Sequence, residues 1–87
     1  LSNHVKEVWR PKPMSASGQL AERGGTCAGF LCATSTSGTV EIKATDASGA
    51  TVIIATPVTA GSYTPMPSYF QDGAYAVLTN CTGTFFV

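Results

Sequence analysis

The sequence predicts an all-β fold: a small antiparallel β-sandwich, jelly-roll-like, carrying an extended N-terminal arm. Three observations lead there. Residues 39–45 (TVEIKAT) alternate apolar and charged side chains with the two-residue period of a half-buried strand. Turn-forming residues recur between short apolar or alternating runs, at intervals expected of a sandwich or small barrel. No stretch shows a long helical period or a heptad pattern, and no internal repeat is visible. With 87 residues, one domain is the limit. We divide it into an arm, residues 1–23, and a β-sandwich body, residues 24–87.

The arm differs from the body in character. Residues 1–25 hold six of the ten charged side chains, the single Trp and the single His. Pro11 and Pro13 bracket Lys12 and disfavour both a helix and a central strand. Residues 15–18 read as linker, and Gly24-Gly25 as a second break. A helix over 17–23 would be too short to stand alone. The expectation is an extended segment ordered by whatever it touches.

The body reads as strands joined by turns. Residues 26–34 form an apolar run closed by a turn cluster at 35–38. In residues 39–45, Val40, Ile42 and Ala44 share one face, and Glu41 and Lys43 the other. Asp46-Ala47-Ser48-Gly49 supplies a turn, with Gly49 free to take positive φ, and residues 50–56 return as the second strand of a hairpin. Pro57 should end that strand. Residues 58–67 then cross as an extended segment with a short strand near 62–64, since Pro65 and Pro67 forbid a central one. Residues 68–73 are expected as a loop bearing two aromatics, 74–79 as a strand, 80–83 as a turn and 84–87 as a terminal strand.

Composition bears on function. Charged residues make up 11 %, against about 25 % in ordinary globular chains. A polar surface built from Thr, Ser, Gly and Ala on a chain of zero net charge favours association over a free monomer. Residues 1–23 carry Lys6, Arg10, Lys12 and Arg23 against Glu7 and Glu22; residues 24–87 carry Lys43 against Glu41, Asp46 and Asp72. A mildly basic arm on a mildly acidic body suits docking on an acidic neighbour, another copy included. No apolar run reaches membrane-span length, and the first residues lack the apolar centre of a secretory signal.

The chemistry of sites points away from catalysis. A serine-type nucleophile needs a base and an orienting group, and the one histidine, His4, sits in the arm with nothing local to fix it. Glu41 faces outward, while Asp46 and Asp72 sit in turns that explain them. Cys27, Cys32 and Cys81 have neither zinc spacing nor a histidine partner; buried free thiols are expected, with a bridge from Cys81 to one of the others as the alternative. Asn80-Cys81-Thr82 matches a glycosylation acceptor, a pattern of common chance occurrence. No cofactor or metal is expected. The partner-binding candidates lie in the arm: Val5, Trp9, Arg10 and Lys12, with Trp9 as an anchor and the cations meeting acidic groups. Lys6, Arg10 and Lys12, interleaved with Trp9, support only a weak, salt-sensitive grip on nucleic acid, which argues for protein docking. Tyr69 and Phe70 are candidates for exposed contacts, and read as a sugar platform they offer the alternative of a carbohydrate or cell-surface binding module. Tyr75, alternating with Val77, is expected in the core or an interface.

From Gly38 to Val87 the chain resembles small structural proteins of tailed bacteriophages. The stretches that carry the likeness are SGTVEIKATDASGATVIIATPV, GSYTPMP and FQDGAYAVLTNCTGTFFV, a hairpin, a proline-flanked crossing and an Asp-Gly-x-Tyr entry into the next strand. The resemblance covers about the last 50 residues and is one of style. It implies a non-enzymatic capsid decoration (cement) protein, or a minor head or tail component, found in the virion. It also implies self-association, a trimer as first guess, and binding to a major capsid protein or another virion protein.

Overall fold

The computed structural model describes residues 9–87. Among them it places six strands and no helix: β1 (Pro11–Met14), β2 (Gly18–Ala21), β3 (Gly25–Ala44), β4 (Thr51–Val58), β5 (Tyr63–Phe70) and β6 (Ala74–Phe86). Every pairing is antiparallel. The all-β fold read from the sequence is the fold observed.

The long strands β3 and β6 pair with each other from Ala44 opposite Ala74 to Gly29 opposite Phe86. The other four attach to this central ladder in two sets. β5 lies beside residues 25–31 of β3, and β1 beside residues 83–86 of β6. At the other end β4 lies beside residues 38–43 of β3, and β2 beside residues 74–76 of β6. Two four-stranded halves therefore share the same central pair. The hydrogen-bonded framework is one continuous sheet, where the sequence had pointed to two sheets linked by turns.

The reason lies at residues 35–38 and 80–83, which the sequence presents as turns. The ladder passes Ser35 opposite Cys81 and resumes at Thr39 opposite Thr79, so residues 36–38 face Asn80 alone. Extra residues are absorbed as bulges while the same two strands stay paired, which bends and twists them instead of reversing them. Ser37 (φ 52°) and Asn80 (φ 58°) take left-handed conformations there. The Ser35 hydroxyl accepts the Gly38 N–H at 2.9 Å and donates to the Val58 carbonyl at 2.6 Å, pinning the bulge to β4. Gly38 is required by close approach, since a Cβ would stand 2.6 Å from that of Cys81. A straight 20-residue strand would run about 63 Å, yet the molecule is 45 Å in its longest dimension. β3 must bend.

Asn80 also sets which side chains are inside. Before it, Ala74 and Ala76 are buried; after it, Cys81, Gly83 and Phe85 are. One unpaired residue shifts the period-2 pattern by one and exchanges the faces. Tyr75 and Val77 consequently lie on the outer, half-buried face, with Ala74 and Ala76 in the core positions. The core is one cluster drawing on both halves: Phe30, Met66 and Phe85 from one, Val40, Ile42, Ala74 and Ala76 from the other. The Phe30 and Phe85 rings meet at 4.7 Å between centroids, tilted 51°. Gly83 gives Phe30 room, because a Cβ there would enter its ring.

The described part of the arm is built into this sheet. Residues 11–14 and 18–21 are strands on β6, and Arg10 exchanges backbone hydrogen bonds with Val87 at 2.9 and 3.0 Å. Pro11 and Pro13 fit because β1 has one neighbour, leaving its other side free of donors a ladder would need. The brief helix weighed for 17–23 is replaced by β2. Its Gln19 amide nitrogen lies within 2.7–3.0 Å of the carbonyls of Ala21, Thr45 and Ala74, and the Ser17 hydroxyl accepts the Leu78 N–H. These side chains anchor a segment too short to hold itself.

Smaller differences follow the same logic. β4 continues past Pro57, through a cis peptide, to Val58. β5 extends from residue 63 through the expected loop to Phe70, and its Pro65 and Pro67 are tolerated because it too pairs with β3 alone. The 46–49 turn forms, with the Ser48 N–H on the Asp46 carboxylate, but the positive φ (69°) falls on Thr45. Gly49 is needed instead because a Cβ would overlap the Ala44 carbonyl. All three cysteines are buried free thiols, so the Cys81 bridge is not made.

Candidate interaction surface

Of the arm candidates, Arg10 and Lys12 line neighbouring recesses that share Ala21 and Gly24. Val5 lies outside the described residues, as does His4. Lys12, on β1 opposite Phe85, and Arg23, just after β2, line an open cleft of about 410 Å³ with Glu22 and Leu20. Arg10 lines an adjoining recess of about 300 Å³ with Phe70 and Val87. Trp9 is 38 % exposed. Arg10 and Lys12 thus share a neighbourhood with Arg23, which sequence reasoning counted in the charge balance without singling it out. The antiparallel return of β2 along β6 brings it there, and that pairing had no sequence signal of its own.

Tyr69 and Phe70 part company. Tyr69, the most exposed large apolar side chain among the described residues at 72 %, points outward from β5, while Phe70 is in the core. Consecutive residues of a strand face opposite sides, so the two cannot form one platform. The expectation of Phe70 as an exposed contact fails because residues 68–70 are strand, not loop.

Two apolar patches on the outer faces were missed. On one half Leu31, Tyr63 and Phe86 stand together: Tyr63 is opposite Leu31, and its ring is 6.1 Å from that of Phe86. Tyr63 lies over Gly29, where a Cβ would collide with its phenol. On the other half Val52 and Ile54 of β4 are 40 % and 54 % exposed. The signal for the second patch was present, since residues 52–55 (VIIA) are apolar at every position and must leave apolar side chains on both faces.

The polar groups around the second patch are engaged locally. The Thr51 hydroxyl donates to the Glu41 carboxylate, Thr39 and Thr56 join hydroxyls at 2.8 Å, and the Lys43 ammonium donates to the Ala47 carbonyl. Burial pushes the Cys27 thiol up from 9.0 to about 11, against weaker opposing hydrogen bonds to Gly29 and Ser68. Burial, with Cys32 nearby, raises Cys81 as well. Both are held as neutral thiols at ordinary pH, the reverse of a reactive cysteine. Among the described residues no group of His, Cys, Asp and Glu is placed to hold a metal ion, and no helix is long and apolar enough to cross a membrane. The arrangement offers apolar surface and backbone edges for contact, with a few cations in neighbouring recesses. Comparison with protein-family models, curated proteins and solved structures gives no match for this chain.

Proposed function

We propose that this chain is a non-enzymatic assembly subunit that associates with copies of itself and binds a larger protein shell. The observation that carries the reading is exposed apolar surface on both outer faces of a chain with 11 % charged residues. Contiguous apolar surface of this kind marks protein contact, and few charges stand by to keep copies apart. The resemblance of residues 38–87 to small tailed-phage structural proteins supports a bacteriophage virion as the shell, with a decoration subunit as the role. Arg10, Lys12 and Arg23, which line neighbouring recesses, would meet acidic groups of the shell protein.

Light scattering of the purified full chain tests the self-association. A mass that is a multiple of 9.0 kDa and survives dilution is expected; a 9.0 kDa monomer at every concentration refutes it. Cosedimentation with assembled phage heads tests the shell. Binding that weakens in an Arg10→Ala, Lys12→Ala double variant is expected, and chain that never travels with heads removes the virion role. The exposure of Tyr69 alone favours the alternative of a sugar or cell-surface binding module, and a glycan-array signal lost in Tyr69→Ala would establish it instead.

A further inference from the structure

Among the described residues four strands, β1, β2, β4 and β5, each have a single neighbour, so each leaves a row of N–H and C=O groups without a strand partner along one side. Three of these edges carry features that discourage a further strand. β1 has Pro11, Lys12 and Pro13 among its four residues, and β5 has Pro65 and Pro67. β2 is four residues long, has a register shift between Gln19 and Ala21, and runs into Glu22 and Arg23. β4 shares only a register shift, with Val52 skipped between Thr51 and Ile53, and its one proline, Pro57, lies beyond Thr56. Residues 51–56 contain no charge, proline or glycine, and all but Ala55 are β-branched.

The core is also incomplete along that strand. Ile53 and Ala55 pack against the buried cluster from the inner face of β4 yet stay half-exposed. Val52 and Ile54 are exposed on the outer face. Both faces of this edge are apolar and unfinished, a condition one more strand of like composition would complete.

We propose that the missing strand is β4 of a second copy, paired antiparallel about a two-fold axis so that two sheets become one. The inference rests on the self-assembly reading above and names its interface. Centred on Ile53, such pairing sets Val52 opposite Ile54 of the other copy on the outer face and Ile53 opposite its own counterpart on the inner. Each copy then covers what the other leaves half-exposed. An uncharged strand opposes no like charges to itself across the axis. The nearest carboxylate, Glu41, is already held by the Thr51 hydroxyl. The same patch serves both copies, so the contact closes on itself. The first assembly is accordingly a dimer, where the sequence reading had taken a trimer as its starting guess.

The test combines light scattering and amide hydrogen exchange on the full chain over a concentration series, with Ile54→Lys as the variant. Ile54 is exposed, so the lysine can be solvated in a monomer, but in the dimer it removes two cross-strand pairs and adds like charges. We expect association that slows exchange at residues 51–56, and roughly tenfold or greater weakening in Ile54→Lys. A chain that stays monomeric overturns both the edge and the assembly reading. A chain that associates without slowed exchange at 51–56, or whose Ile54→Lys variant associates as tightly as the parent, overturns the edge alone. Should the variant fail to fold, the exchange pattern of the unaltered chain decides.

Discussion

Replacing Phe85 and, separately, Phe86 by alanine puts the register of β6 to a direct test. If the alternation of Ala74 and Ala76 ran on unbroken, Phe86 would be inside and Phe85 outside. The bulge at Asn80 reverses this: Phe85 is fully buried against Phe30, and Phe86 is half-exposed beside Tyr63. Removing a buried Phe ring and leaving its cavity costs about 3–5 kcal/mol. An 87-residue domain has roughly 4–13 kcal/mol of stability in all, so Phe85→Ala should remove about a quarter of it or more. Its melting temperature should drop by roughly 12–40 °C, at about 4–8 °C per kcal/mol for a domain of this size. Phe86→Ala loses an outer aromatic pair worth about 0.5–1.5 kcal/mol, with a correspondingly smaller drop. Urea unfolding at unchanged m-value gives both free energies on one scale. A Phe86→Ala cost equal to or above that of Phe85→Ala would refute the bulge and with it the assignment of faces beyond residue 80.

Two further outcomes follow from the same structure. Asn80→Gly should melt within a few degrees of the parent, while Asn80→Val, a branched side chain forced into left-handed backbone, should cost about 1–2 kcal/mol; equal melting of the two variants would show that the conformation is not held. Cys27 keeps its proton in the folded state to about pH 11 but releases it near 9.0 when exposed, so it contributes no pH dependence below about 9 and makes stability fall between 9 and 11. The urea midpoint should therefore decline more steeply over pH 9–11 in the parent than in Cys27→Ala, and parallel declines would contradict that burial.

The interaction surfaces were only partly legible in the sequence. Arg10 and Lys12 stood out because charges are scarce, but nothing local showed that Arg23 joins them. Tyr69 and Phe70 looked equivalent while residues 68–73 read as a loop. Strand extension to Phe70 separated them, because the pleat sends neighbours to opposite faces.

Local chemistry by itself determined the all-β class, the 39–56 hairpin and the inward set Val40 and Ile42. These depend on side-chain alternation and turn residues a few positions apart, which are local in sequence. Only the tertiary structure decided whether Ser35–Gly38 and Asn80–Gly83 reverse the chain or merely bend it. Gly, Ser and Asn permit left-handed backbone equally in a turn or a bulge. The choice went to bulges because β3 and β6 meet on both sides of the interruption, a pairing between residues 30–57 positions apart. Separate long-range pairings with β6 took residues 11–14 and 18–21 from the expected arm into the sheet. The finished sheet leaves β4, alone among the four edges, apolar on both faces with no proline or charge over Thr51–Thr56.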